Sequence, residues 1–392
     1  MKVLILGRGF PCDADPVYGN FEFEQASALA KQNIDVIYAY IDRRTKTKHP
    51  RKTGLYKQYN SDFPVYGGYL FPVVTFRYFP RLSSWLYSKR FLRLFKMIVE
   101  KEGLPNLIHC HYLFCLPCAI AVGKKYNIPI VETEHWSDLK KDILPFYANY
   151  MSQYYKATNK IIAVSNALQT TLNRRFGVNS TVINNMVSDT YFESTPTLTP
   201  SSFNHKNNTC FISIGSLIHR KGFDILIEAF HNANIDKTKW KLFIIGDGAE
   251  RDCLEKIIRE KGLYENIILL GKLNKQEISD ILQKSDVFVL PSRSETFGVV
   301  YIEAMARGLP CIGTRCGGPE EFITSDVGLL TNVNDTDALR DAILWMFKHN
   351  NEYDRTKIRQ ICYDRFSSTK IAKQCIEIYN EVLNNYTHNN KI

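Results

Sequence analysis

Two segments of the C-terminal half carry charge in a pattern that could do chemistry. Strand candidate Phe211–Ile214 runs into Gly215, and Arg220-Lys221-Gly222 follows just before a helix. Two adjacent cations on a glycine-bounded turn suit a pyrophosphate, because Arg offers a bidentate fork and Lys a compact charge. An exposed basic loop would also account for that segment taken alone. Strand Asp286–Leu290 then leads into Pro291-Ser-Arg-Ser-Glu295-Thr-Phe-Gly298, with Glu303 eight residues after Glu295, inside the next helix. A helix start at Thr296-Phe297-Gly298 would aim amide N–H groups at a phosphate. One carboxylate outside that start and one within it could grip hydroxyls on either side, the layout of a nucleotide sugar. The plainer alternative has Glu295 capping the helix and Glu303 on a solvated face.

Other motifs are weaker. Gly7-Arg8-Gly9 after the first strand lacks the third glycine of a dinucleotide fingerprint, and Asp42 at the next strand end is followed at once by Arg43 and Arg44, so hydride chemistry is disfavoured. No Walker A sequence occurs. Cys115-Leu-Pro-Cys118 is a CxxC without a second pair, in an apolar helical stretch, and reads as buried thiols. Of the two DxD sequences, Asp13-Ala-Asp15 lies in a loop of the first half, and Asp335-Thr-Asp337 opens a helix where Asp is an ordinary cap. No metal is expected. His109 and His111 flank a cysteine at a strand end without a clear third ligand and are read as cleft-lining or structural; His135 follows Thr133-Glu134 after another strand.

These residues need a scaffold. With 392 residues, 45% hydrophobic and 23% charged, the chain is globular, and at roughly 100–200 residues per domain it holds two or three domains. Nothing approaches the ~18–20 apolar residues of a membrane span, and Val3–Leu6 is too short for a signal core, so a cytoplasmic location is expected. Short apolar strands alternate with amphipathic helices in both halves, which predicts α/β architecture: two doubly wound domains facing a cleft. Residues 194–208, polar and proline-bearing, read as the linker between a first domain, 1–193, and a second, 209–366, with a closing helix and polar tail at 367–392.

The net charge of +10 is uneven. Residues 1–192 carry +11 and residues 193–392 carry −1, while residues 43–101 alone carry +12. Within 77–96, Trp85, Phe91, Leu92 and Phe95 at helical spacing, with Arg81, Lys89, Arg90, Arg93 and Lys96 nearby, describe a basic amphipathic helix suited to an anionic membrane surface. Core packing under a solvated basic face is the competing account; nucleic acid is disfavoured because no recognition motif accompanies the charge.

Taken in order, Gly215…Arg220-Lys221-Gly222-Phe, Gly246-Asp-Gly248, Pro291-Ser…Glu295-Thr-Phe-Gly…Glu303-Ala and Gly317-Gly318…Glu321 resemble the donor domain of retaining glycosyltransferase family 4, with the GT-B fold. The likeness spans nearly the whole chain, with Gly19 before a helix and Thr133-Glu134-His135 in the first half, and is nearest to bacterial capsule and exopolysaccharide enzymes. The family often has two glycines where this chain has Gly19-Asn20, and Pro-Asn-Gly where it has Asn184-Asn185-Met186. The resemblance implies that Arg220 and Lys221 hold a diphosphate, Glu303 the ribose and Glu295 the transferred sugar. It implies that Gly19, Gly246, Thr296, Phe297 and Gly298 complete the donor site, that His135 reaches the sugar, and that the last helix crosses back to the first domain. The expected enzyme is a retaining, metal-independent hexosyltransferase without a cofactor, acting on a nucleotide sugar and a glycan or lipid-linked acceptor in surface polysaccharide synthesis, peripheral to the inner face of the plasma membrane. A nucleotide-sugar epimerase on the same architecture, or a non-catalytic sugar-nucleotide-binding protein, are the alternatives.

Overall fold

The computed structural model describes residues 1–11, 18–42, 54–58, 62–69, 79–135, 145–193 and 208–389. Asp13, Asp15, Arg43, Arg44, Arg77 and nearly all of the 194–208 linker lie outside them. In chain order the elements are β1 (Lys2–Gly7), α1 (Asn20–Ala30), β2 (Asp35–Asp42), β3 (Gly54–Gln58), β4 (Val65–Tyr69), α2 (Pro80–Glu102), β5 (Leu107–His111), α3 (Leu116–Tyr126), β6 (Ile130–Glu134), α4 (Pro145–Lys156), β7 (Lys160–Ala163), α5 (Asn166–Phe176) and β8 (Thr181–Val182). Then come β9 (Thr209–Ile214), α6 (Phe223–Asn232), β10 (Trp240–Ile245), α7 (Arg251–Glu260), β11 (Ile267–Gly271), α8 (Lys275–Gln283), β12 (Val287–Val289), α9 (Val299–Ala306), β13 (Cys311–Thr314), β14 (Gly328–Thr331), α10 (Thr336–His349), α11 (Arg355–Phe366) and α12 (Ser368–Asn389).

The chain divides into two compact units, Met1–Asn184 with Ser368–Ile392, and Asn185–Ser367. The first holds a sheet of order β3-β4-β2-β1-β5-β6-β7-β8, parallel except for the β3–β4 pair. Its central strands are buried on both faces and so read as unbroken apolar runs, such as Val3–Leu6. The β3–β4 pair and α4 are not apparent in the sequence. Helix α12 packs in this unit: Gln25 Nε2 lies 3.0 Å from Cys375 Sγ, His109 Nδ1 2.6 Å from the Tyr379 hydroxyl, and Lys160 Nζ 2.8 Å from Glu381.

The second unit is a six-stranded all-parallel sheet, β11-β10-β9-β12-β13-β14. Strand order reverses between β9 and β12, and in such sheets ligands bind outside the carboxyl ends of the strands at that reversal. Gly215 and Pro291, which follow those two strands, are therefore where a site is expected.

The unit boundary differs from the sequence reading. Residues 185–193, assigned to the first domain, pack in the second unit. Arg307 donates from Nη1 to Glu193 O at 2.6 Å and from Nη2 to Thr190 O at 3.1 Å, and Ser279 Oγ donates to Thr190 O at 3.4 Å. Buried carbonyls that find such donors hold a segment that has no periodicity of its own.

The α2 surface also needs correcting. Phe91 and Phe95 are wholly buried, with Leu94 and Ile98, each burial worth ~1.5–3 kcal/mol, so neither contributes to an exposed apolar face. Arg90 and Leu92 are half-buried. The outward stripe consists instead of Leu82, Trp85, Lys89, Arg93 and Lys96, with Arg81 beside it and Phe79 just before the helix. Phe79, Leu82 and Trp85 are 61%, 48% and 57% exposed, and Lys89 Nζ stands 5.9 Å over the Trp85 ring. Among the described residues no helix is long and apolar enough to cross a membrane.

Candidate active site

The basic turn and the glutamate loop meet in the second unit. Lys221 Nζ lies 2.5 Å from Glu295 Oε1, and Arg220 Nη1 lies 3.9 Å from Oε2. Ser292 Oγ donates to Glu295 Oε1 at 2.8 Å. Burial alone would raise the Glu295 carboxyl, but Lys221, with help from Ser292 and Arg220, outweighs it and holds the group below the usual carboxylate range. Glu295 is thus a buried anion held by two cations, not a helix cap: the N-cap of α9 is Gly298, at φ 99°, and makes no side-chain cap bond.

Glycine makes the floor. Gly246 has φ 141°, and a Cβ there would stand 1.9 Å from Gly215 O; the methylenes of Lys221 pass over Gly215 on its other side. So Gly215, Gly246 and Lys221 converge at the carboxyl ends of β9 and β10.

A residue missed in the sequence reading organises both loops. Arg293 Nη1 and Nη2 bond Asp224 Oδ1 and Oδ2 at 2.9 and 2.6 Å, Nη1 also donates to His219 O at 2.5 Å, and Nε donates to Asn334 Oδ1 at 2.8 Å. Its own amide donates to Arg220 O at 2.8 Å. The signal was an arginine in Pro-Ser-Arg-Ser-Glu with an acid two residues past Gly222.

Helix α9 begins at Val299, so Thr296 and Phe297 lie before it rather than in its first turn. Both are buried. Phe297 packs edge-on against Phe366 at 5.7 Å and tilted against Phe322 at 5.3 Å, so its side chain belongs to the core and only its backbone is available to a ligand. Glu303 is not joined to Glu295. It is part-buried and faces Lys275 and the hydroxyl of Tyr191; burial pushes it up to about 7 against the pull of those two groups.

The remaining candidates lie in the first unit. Gly19, at φ 84°, is the N-cap of α1, and a Cβ would stand 2.4 Å from Gly9 O. His135 Nε2 lies 3.1 Å from His111 Nδ1, and the rings stack at 5.3 Å. His109 bridges Tyr379 and Thr133 Oγ1, the latter at 2.7 Å. Burial pushes His109 and His111 well down, so both stay neutral. Arg8 Nε bonds buried Glu22 at 2.7 Å and its guanidinium lies 3.9 Å over Tyr112, so Gly7-Arg8-Gly9 serves an ion pair. Cys115 and Cys118 are buried thiols. Asp335 caps α10 through Ala338 N at 2.9 Å and Asp337 pairs with Arg340. Among the described residues no three His, Cys, Asp or Glu side chains converge as a metal site would need.

Comparison with known proteins identifies the family. Residues 195–361 match the family described as Glycosyl transferases group 1, and residues 21–191 match Glycosyltransferase Family 4. The chain is 30% identical over 305 residues to an N-acetyl-α-D-glucosaminyl L-malate synthase of Bacillus anthracis, covering 73% of this chain and 77% of that one. In structure it resembles a sucrose-phosphate synthase of Thermosynechococcus elongatus (TM-score 0.75, 20% identity, 97% and 98% of the two chains). It also resembles the Anabaena protein HepE in complex with UDP (TM-score 0.74, 19% identity, 97% and 100%). The α/β architecture of two Rossmann-like units is GT-B, and the chain belongs to the family 4 glycosyltransferases.

Proposed function

We propose that this glycosyltransferase takes a hexose-type unit from a nucleoside diphosphate sugar and passes it, with retention at the anomeric carbon, to a glycan or lipid-linked acceptor of surface polysaccharide synthesis. The observation that carries the donor assignment is the cluster of Arg220, Lys221 and Glu295 at the sheet's reversal point. Cleaving the bond from sugar C1 to the diphosphate oxygen leaves negative charge on the departing phosphate. Two cations already fixed by Glu295, Ser294 O and the Arg293 bridge stabilise that charge without reorganising, which is the electrostatic part of catalysis. Glu295, kept ionised, accepts hydroxyls of the sugar. His135, whose Nε2 lies 3.1 Å from His111 Nδ1, is the residue of the first unit proposed to take part in catalysis. No metal or cofactor enters this scheme.

The α2 stripe supports the acceptor assignment. Phe79, Leu82 and Trp85 offer apolar side chains beside Arg81, Lys89, Arg93 and Lys96, and this combination suits the interface of an anionic leaflet, where a lipid-linked acceptor resides. The enzyme would then work peripherally at the inner face of the membrane.

The deciding experiment screens nucleoside diphosphate sugars by thermal shift, beginning with UDP-sugars because HepE holds UDP. A donor at 100 times its Kd adds about 2.7 kcal/mol of stability. Turnover is then followed with and without acceptor, and the anomer of the product is read by NMR. Full turnover of donor alone would replace the transferase reading with epimerisation, and an inverted product would remove retention.

A further inference from the structure

Lys275 and Ser279 lie one turn apart on α8, and Glu303 and Arg307 one turn apart on α9 and its C-cap. Side chains at that spacing share a helix face. The two faces hold the short helical turn Asp189–Tyr191 at two levels. At one level Arg307 Nε bonds Ser279 Oγ at 2.9 Å, and both residues donate to Thr190 O. Two carbonyls that follow that grip are taken as well, Phe192 O by Arg359 and Glu193 O by Arg307. At the next level the ring of Tyr191, 1% exposed, delivers its hydroxyl to the Glu303 carboxylate, which Lys275 faces from α8.

We propose that Tyr191 is a positioning residue for donor binding: its hydroxyl holds the Glu303 carboxylate in the orientation that accepts the ribose hydroxyls of the nucleotide. The inference rests on the proposed nucleoside diphosphate sugar donor, with Glu303 on its ribose as the family resemblance implies. A carboxylate on a helix has free torsions, and two hydroxyls of a ribose are gripped only by an ionised group that is already aimed. Tyr191 supplies both conditions, since a hydrogen bond donated to the charged form favours that form. The groups facing Glu303 are Lys275 from α8 and Tyr191 from the turn; Arg307, one turn along α9, acts on Tyr191 and is itself answered by Asp280 and Glu193. Burial raises Glu303 to about 7 and lowers Lys275 to about 8, so ionisation of Glu303 falls inside the working pH range. Donor affinity therefore declines as pH falls through about 7, and removing the Tyr191 hydroxyl moves that midpoint upward.

The test uses the full chain and Tyr191→Phe, which keeps the buried ring. Kd is measured calorimetrically between pH 5.5 and 8.5 for whichever of UDP, GDP and ADP binds most tightly, and for its 2′-deoxy analogue. The expected result is a loss in ribonucleotide affinity on the order of tenfold at pH 7, the effect of about one charge-assisted hydrogen bond. The pH midpoint should also rise, the preference for ribose over deoxyribose should narrow, and kcat at saturating donor should be unchanged. Lys275→Met, which removes the other support of the Glu303 charge, should raise the same midpoint and serves if Tyr191→Phe folds poorly. A wild-type preference for ribose that persists undiminished in Tyr191→Phe, with an unmoved midpoint, overturns the role of Tyr191. No wild-type preference for ribose, together with an unaltered Kd in Glu303→Gln, overturns the ribose assignment itself.

Discussion

Lys221 Nζ and Glu295 Oε1 stand 2.5 Å apart, and neither side chain is more than 12% exposed. The pair joins a turn after β9 to a loop after β12, 74 residues away in sequence. Lys221 is the main reason the Glu295 carboxyl stays charged where water is largely excluded.

Lys221→Ala should lower turnover at least about tenfold, because one charge-assisted contact to a leaving phosphate is worth ~1.5–3 kcal/mol. Steady-state kinetics at saturating and subsaturating donor read the effect; unchanged values would remove Lys221 from the site.

The same substitution should carry a stability cost with a defined pH dependence. Glu295 is depressed in the folded wild type, so it contributes stability above its unfolded pKa and loses it as pH falls through the folded value. Without Lys221, burial dominates and raises Glu295, so the variant bears a penalty at pH 7, ~1–3 kcal/mol, that vanishes once the carboxyl is protonated. Denaturant melts should show the gap between the two proteins closing toward pH 4. Lys221→Ala with Glu295→Gln should be more stable at pH 7 than Lys221→Ala alone.

Arg293→Ala should loosen both loops at once. It removes a bidentate pair to half-exposed Asp224 and the bonds to Asn334 and His219 O. After allowance for solvent screening, about 1–2 kcal/mol is expected, visible as a lower Tm, together with a raised donor KM. A variant with wild-type Tm and KM would show that the loops hold their shape without it.

Activity should persist in excess EDTA, since in the proposed site Arg220 and Lys221, both beside Glu295, would supply the charge that a divalent ion supplies elsewhere. Complete loss, restored by Mg²⁺ or Mn²⁺, would contradict this and return attention to Asp13 and Asp15.

The α2 stripe should bring the protein down with anionic vesicles and not with zwitterionic ones. Each cation near the leaflet is worth about 1 kcal/mol over a screening distance of ~8–10 Å, so a few hundred millimolar salt should release it. Trp85→Ala with Arg93→Glu and Lys96→Glu should abolish sedimentation and leave nucleotide binding intact. A wild type that ignores anionic vesicles at low salt would mark the stripe as a solvated face.

The loops that carry Lys221 and Glu295 were legible because their signals are local. Glycines beside cations, and a glutamate between a buried strand and a helix, are read from consecutive residues, and they fall at the reversal of the sheet as the alternation implies. The partition of α2 into two faces was only half legible. Periodicity groups Phe91 with Phe95, but it cannot say that α3 and the sheet cover them while Trp85 stays outside. Tyr191 was not legible at all and Arg293 only as an arginine beside Glu295, because their meaning lies in partners far along the chain, Glu303 and Asp224. The place where the chain passes from one unit to the other was misread for a related reason. Low-complexity composition marks a loop, whereas the true limit at Asn184 is set by carbonyls that Arg307 and Ser279 happen to reach.

Helix α12 closes the first unit although it follows the whole of the second in sequence. The first unit is therefore interrupted by the second, and its buried His109 lacks the Tyr379 hydroxyl until the second has been synthesised. On the ribosome the order of completion inverts the order of translation: the second unit, contiguous from Asn185 to Ser367, can finish folding while the first still waits for α12. Premature termination just after Phe366 would thus spare the half nearest the lesion and leave the distant, first-made half incomplete.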